Sequence, residues 1–573
     1  MSDFSPLDRA KINTHRSSFD LSSKKLFTAK VGEILPCYWQ IAIPDTKYRI
    51  SSDWFTRTVP VNTAAYTRIK EYYDFYAVPL RLISRALPQA FTQMTDYVTS
   101  ATSDSRNTDI LKDVPYCNLS DISSYFDKIY NKDYFDDASL PLAYGSVKLL
   151  DMLGYGSFMS KDAASLGHVT ASYFGHSITS PTDNPLVYAV SQRVNILPIL
   201  AYQKIYYDFF SLSQWEKHLA YAYNVDYWPG ITSIVPTKDM LKLRYANYPK
   251  DYFMGVLPSS QYGSVAVLPS SFTRLRDSNR IVSNNRTDSY LLQQVGSGAV
   301  SMTGSVTTNT PVTLNTDLSA LSIRATEYLQ RWKEVVQFSS KDYSDQMAAQ
   351  FGIKAPEYMG NHAHYIGGWS SVININEVLN TNLNTADSQA SIAGKGTGSN
   401  QGHTLTYDCG AEHQVIMCVY HAVPMLDWEL SGQSPQLTVS AVSDFPQPAF
   451  DQLGMQPVPV LNFHNNLSVQ GSDNLGYNLR YWQWKSSVDT IHAGFRTQGG
   501  YSSWVAAVDG ENVLTSEATF SYQSFKVRPQ QMNSIFSPQV SGSHSSVQYD
   551  QLLCNVNFQV YAVQNLDRNG LPY

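Results

Sequence analysis

Arg68–Val78 reads RIKEYYDFYAV, Val415–Val423 reads VIMCVYHAV and Asn555–Val563 reads NVNFQVYAV. All three runs are rich in aromatic and β-branched residues and are bounded by Pro, Gly or Asn, which is the pattern of β-strands. They lie more than a hundred residues apart, so a sheet that holds them must pair distant parts of the sequence. Sheet-forming segments towards both termini, with insertions between them, predict a mainly β chain: one antiparallel domain closed by that pairing, for which a jelly roll is the natural candidate. Helical spacing is confined mainly to the middle. Ala325, Tyr328, Leu329, Trp332, Val335 and Val336 recur at i, i+3, i+4 intervals, and a second helix is expected from Pro198 to about Phe210, where Pro opens the first turn. Three long polar stretches, 98–140, 264–320 and 380–404, interrupt this order, and loops of that length are usually functional or interactive.

Composition bounds the surface. Of 573 residues, 43% are hydrophobic and only 16% are charged, well below the roughly 25% of ordinary soluble domains. Much of the surface is therefore uncharged. The 39 Tyr, 24 Phe and 10 Trp suit a protein covered by neighbours, since Tyr offers a large apolar body with a polar tip. They equally suit a carbohydrate-binding or carbohydrate-cleaving β-protein, whose exposed rings stack on sugars. A net charge of -6 argues against a surface that clings everywhere to nucleic acid, so any such contact must be local. Residues 1 to 30 carry a small excess of Lys and Arg, including Lys11, Arg16, Lys24 and Lys25. That arm reads either as a solvated mobile terminus or as an inward arm touching nucleic acid. Five scattered cysteines without a CxxC pair predict free thiols of a reducing compartment. The opening MSDFSPLDRAKINTH lacks a signal peptide's pattern, and 18 apolar residues never stand together, so neither export by that route nor membrane insertion is expected.

Motifs of catalysis are weak. Gly394–Gly398 (GKGTG) invites comparison with a phosphate-binding loop, but Gln389 replaces the leading Gly and Gly396 the hydroxyl residue, so it reads as a flexible surface loop. His362, His364, His403, Cys409 and His413 are metal-ligand types in no zinc spacing, and read as ordinary loop and sheet residues. A GxSxG elbow is lacking, Gly154–Phe158 being the nearest approach. Remote carboxylate pairs for glycoside hydrolysis stay open, although the acids stand mostly in polar runs or beside Lys and Arg. No cofactor is expected.

A string of segments carries a family resemblance. Arg16–Ser22 (RSSFDLS), Gly32–Pro36 (GEILP), Phe55–Thr63 (FTRTVPVNT) and Tyr72–Pro79 (YYDFYAVP) come first. Ala201–Phe210 (AYQKIYYDFF) and Lys250–Pro258 (KDYFMGVLP) follow, then Gln350–Gly352 (QFG), Pro356–Gly360 (PEYMG), Gly367–Trp369 (GGW) and Ile375–Val378 (INEV). Glu412–His413, Phe450–Gly454 (FDQLG) and Gly476–Tyr481 (GYNLRY) complete the order. Together they resemble the major capsid proteins of the microvirus family, closer to its gokushovirus and gut-phage side. Gln350 stands where His is expected and Gln414 where Gly is common, departures that bear on the subgroup.

The resemblance implies a single eight-stranded antiparallel jelly roll of the viral capsid type, with long, partly helical insertions. It implies a non-enzymatic structural protein that self-assembles into an icosahedral T=1 shell around a circular single-stranded DNA genome. The implied partners are further copies of itself, the viral DNA, a minor pilot protein, an assembly or DNA-condensing helper, and a host surface receptor. The implied location is the virion capsid, made in the bacterial cytoplasm. On this reading residues 1–25 form an internal arm whose Lys11, Arg16, Lys24 and Lys25 touch DNA. Residues 26–573 form the jelly-roll domain, with insertions at about 98–200 and 264–320. The second insertion, marked by Ser264, Asn309 and Ala320, is expected as a surface protrusion that meets the host.

Overall fold

The computed structural model describes residues 15–59, 61, 65–91, 113–122, 142–156, 192–228, 233–266, 281–282, 289–295, 299–303, 320–354, 356, 360–379, 392–465, 474–514, 520–532, 535–536 and 550–568. Two compact units are present, one of residues 1–260 with 340–573 and one of residues 261–339.

The larger unit is built on one curled antiparallel sheet of ten strands. In chain order these are β1 (Ser17–Asp20), β2 (Ser23–Ala29), β3 (Leu35–Ala42), β4 (Lys47–Thr58) and β5 (Ile69–Pro79). The rest are β6 (His364–Leu379), β7 (Ile392–Gln401), β8 (Leu405–Asp408), β9 (Gln414–Pro424) and β10 (Leu552–Gln564). Neighbours run β1–β10–β4–β7–β6–β5–β9–β3, with β2 also on β10 and β8 also on β4. The three runs expected as strands are β5, β9 and β10.

β6 joins two halves of the sheet. Its residues 364–373 pair with β5, and residues 374–379 pair with β7. Curling brings the inner faces of the halves together. Tyr38 of β3 meets Phe558 of β10 at 5.5 Å between ring centroids, and Tyr73 of β5 meets Trp54 of β4 at 5.2 Å. Phe27 of β2 packs edge-on to Tyr420 of β9 at 5.2 Å. Such tilted and edge-on pairs add about 0.5–1.5 kcal/mol each beyond area burial. Among these rings lies a buried carboxylate, Glu71. Thr56 Oγ1 (2.7 Å) and Trp54 Nε1 (3.0 Å) donate to it from β4, Ser371 Oγ (2.6 Å) from β6 and Tyr420 OH (3.2 Å) from β9. Burial pushes its pKa up while these donors pull it down.

The halves differ in their outer faces. On the β3, β9, β5 half, α1 (Leu142–Leu153) packs against β3, with Trp39 Nε1 donating to the Leu153 carbonyl at 2.8 Å. α2 (Leu197–Ile205) lies against β5 and β9 and runs into a π-helical turn, Tyr206–Phe210, close to the expected helix. Phe209 packs on Tyr76, and Phe210 on His421, which stacks flat on Tyr72. All eleven residues of β9 are buried. On the other half, β4 and β10 alternate buried with exposed residues along their length, and no described helix packs on their outer face.

α1 is also tied down by charge. Lys148 is fully buried, with its Nζ 2.5 Å from Glu33 and 3.1 Å from Asp550. Burial alone would depress this ammonium, but the two carboxylates outweigh it and hold its pKa above the ordinary value. All five cysteines are buried free thiols. The smaller unit contains α3 (Ala320–Phe338), which includes the helix expected around Ala325–Val336, and a short meander of residues 281–282, 289–295 and 299–303. No described helix is long and apolar enough to cross a membrane.

Candidate interaction surfaces

The residues expected to touch nucleic acid are not equivalent. Arg16 is engaged: its guanidinium lies 2.6 Å from the Asp45 carboxylate. Lys24 and Lys25 are exposed on β2, a strand fixed beside β10 by seven consecutive residue pairs. Lys11 lies outside the described residues. The sequence therefore located cations on β2 without showing that β2 is part of the main sheet. It also missed Arg49 and Arg57, which share the outer face of the sheet with Lys24. The signal was present in Lys47–Thr58 (KYRISSDWFTRT), where Tyr48, Ile50 and Trp54 are buried and Lys47, Arg49, Phe55 and Arg57 are exposed at the alternate positions.

Of the three residues that mark the expected protrusion, Ser264 is exposed and its carbonyl accepts a 2.6 Å bond from Lys333 Nζ of α3. Ala320 is the exposed first residue of α3, and Asn309 lies outside the described residues. Of the metal-ligand residue types His362, His364 and Cys409 line one cavity beside Arg81 and Glu412, but the histidine rings are engaged in other roles. The His362 ring bridges the carbonyls of Ala363 and Asp208, His364 stacks on Tyr407, and His413 stacks on Phe91. The His403 carbonyl accepts from Trp369 Nε1, and Cys409 is buried. Among the described residues no cluster suited to a metal ion is present.

The glycine-rich stretch is a strand and not the surface loop the sequence suggested. A Cβ on Gly396 would stand 2.4 Å from Thr58 Cγ2, and one on Gly398 would stand 2.9 Å from Glu71 Oε1. Missing side chains thus let β7 lie close over the core, with Gly396 N donating to Thr58 Oγ1 at 2.6 Å.

A cleft of about 650 Å³ opens between residues 204–226 and 340–362. Its acids are committed. Asp208 accepts from Lys204, Glu216 from Tyr206 OH, and Asp342 caps α4 (Tyr343–Phe351) through Ser344 N. Asp226 lies 3.5 Å from Arg85. A different surface stands out at residues 437–453, where Leu437 (75% exposed), Val442 (85%), Phe445, Phe450 and Leu453 all face outward. Large apolar side chains gathered in one segment of a folded surface mark a place where other molecules pack.

Comparison with known proteins agrees with that character. The profile of the family described as Capsid protein (F protein) matches residues 163–567, well over half of the chain. The match covers α2 and β6 to β10, the segments quoted above from Ala201 onward, and residues 163–200 of the 98–200 stretch; β1 to β5 and α1 precede it. Capsid protein VP1 of Chlamydia phage 1 is 22% identical over 214 residues, which is 35% of this chain and 35% of that protein. The aligned part thus spans about a third of that relative's length.

Proposed function

The chain belongs to the capsid protein (F protein) family, and from that premise we propose that it is the major capsid protein of a microvirus, closing with copies of itself into an icosahedral T=1 shell around circular single-stranded DNA. The family match over residues 163–567 carries this reading. Its physical support is the poverty of charge combined with outward-facing Leu437, Val442 and Phe445. Obligate subunit interfaces bury roughly 2,000 Å² or more with apolar and aromatic centres. In this reading the curled sheet is the jelly roll, its two halves being the facing sheets, and the chain's work is assembly with no reaction assigned to it. Negative-stain microscopy and sedimentation of the expressed protein are expected to give closed particles of uniform size. Folded protein that stays unassembled at high concentration and across salt and pH would overturn the proposal.

The 264–320 insertion is, in the same reading, the outward protrusion that meets a host receptor. Between Ser289 and Ala320 the sole charged residue is Asp317, too little charge for an ordinary solvated loop. An epitope inserted near Asn309 should leave particles intact and bind antibody on whole particles. Residues 17–20 and 23–25 of the expected arm are β1 and the start of β2 in the main sheet, so the inward placement proposed for the arm is that of this sheet edge; a minor pilot protein and a DNA-condensing helper complete the virion.

A further inference from the structure

We propose that the uncovered outer face of β2, β10, β4 and β7 binds single-stranded nucleic acid, with Lys24, Arg49 and Arg57 on phosphates and the rings of Phe55 and Tyr561 on bases. The proposal rests on the reading of the chain as a shell that encloses such a strand, and it names the face that meets it.

The register assembles the face in rows. Leu26, Asn555, Phe55 and Ser399 are successive cross-strand partners, and the next row is Lys24, Asn557, Asp53 and Gln401. Arg49 stands directly opposite Tyr561. Each exposed ring therefore has an arginine beside it: the Arg57 guanidinium sits 4.9 Å from the centroid of Phe55, and Arg49 is the cross-strand neighbour of Tyr561. Phe55 is 37% exposed and Tyr561 49%. Their rows are separated by the six residues from Asn555 to Tyr561, about 20 Å along the strand at ~3.3 Å per residue. The rows between them present Asn557 and Gln559, whose amides both donate and accept.

Charge selects the occupant. Of the acids on this face Asp408 is ion-paired with Lys47, while Asp53 accepts from the Gln559 amide and Asp20 from Ser22 N and both keep their charge. Lys24, Arg49 and Arg57 make no ion pair with any described residue. A chain of net charge -6 thus keeps cations without an ion-pair partner where nothing described covers them. Free cations interleaved with exposed rings are the arrangement that tracks a single strand, the cations following the backbone and the rings stacking on unpaired bases. Its middle rows of amides and charges differ from the apolar centre of an obligate protein interface.

The test uses full-length unassembled protein and a fluorescein-labelled oligothymidylate of about 30 nucleotides, long enough to cross the face, with anisotropy read across a salt series. Arg49→Gln with Arg57→Gln should weaken binding about tenfold and flatten the slope of log K against log salt by about 1.4, as expected for two lost phosphate contacts on a single strand. Phe55→Ala with Tyr561→Ala should weaken binding at least about tenfold and leave that slope unchanged, because stacking releases no counterions. Circular dichroism establishes that each variant is folded. Unchanged affinity and slope in both folded variants would overturn the proposal. So would variants that bind the oligonucleotide normally but no longer form particles, which would make the face a contact between copies. If the wild-type protein forms no particles while the variants still lose oligonucleotide binding, the shell reading falls and the assignment of this face stands.

Discussion

The two halves of the sheet share one core and differ in what lies outside it. On β9, VIMCVYHAV is buried on both faces, inside by the facing half and outside by α2 and the turn that follows it. On β10, NVNFQVYAV alternates, with Val556, Phe558, Val560 and Ala562 inward and Asn555, Asn557, Gln559 and Tyr561 outward. A strand covered on both faces reads as a continuous apolar run, and one covered on a single face alternates. Helical cover is fixed on one half, and the other half's outer face is left available to a different molecule.

The largest test of the covered half removes the cation that pins its cover. Lys148→Ala leaves Glu33 and Asp550 buried without their ammonium, and should cost about 3–5 kcal/mol of unfolding free energy by urea titration. A loss below about 1 kcal/mol would mean that α1 is held by packing alone.

A smaller, pH-dependent effect belongs to Asp74 of β5. Burial pushes its pKa up to about 6, against one stabilising bond from Tyr365 OH at 3.0 Å, and the neutral His421 ring lies 3.9 Å away. Burial also holds that imidazole down at about 3. A carboxyl whose folded pKa is raised contributes stability that is full below its unfolded pKa near 3.8 and is lost as pH rises through about 6. Asp74→Asn, which keeps the acceptor for Tyr365, should therefore gain on the wild type between pH 4 and pH 7 by up to roughly 3 kcal/mol. Parallel pH–stability curves for the two proteins would show that this carboxylate is hydrated and its cover open.

The smallest effect is expected on the bare half. Arg49→Gln should shift unfolding free energy by less than about 0.5 kcal/mol, and Arg57→Gln, which also loses its contact with the Phe55 ring, by less than about 1 kcal/mol, as for surface positions without an ion-pair partner. A cost above about 1 kcal/mol at either position would show that the face is engaged within the monomer.

Much of this architecture was legible in local pattern. The aromatic and β-branched runs became β5, β9 and β10, and the i, i+3, i+4 spacing around Tyr328 became α3. β7 was not legible, because glycine weakens strand propensity and only the presence of Thr58 and Glu71 beneath Gly396 and Gly398 gives the bare backbone a purpose. The role of Arg16 was hidden in the same way, since Asp45 becomes its partner only when the strands pair. The bare face was half visible: Lys24 was singled out, while Arg49 and Arg57 came into view once β4 had been set between β10 and β7.

The placement of β10 between β2 and β4 also sets a clock. Residue 58 closes β4, and residue 552 opens the strand that must pair with it. Synthesis at ~5–20 residues per second puts on the order of a minute between them. Throughout that interval β2 and β4 each present an unpaired edge to the cytosol, and an open edge accepts any strand that fits. A neighbouring polysome carries many copies of such half-built sheets. The β10 of one nascent chain then competes with that of another for the same slot, so exchange of this strand between copies is the misfolding route to be expected, and slowing translation after β4 should increase it.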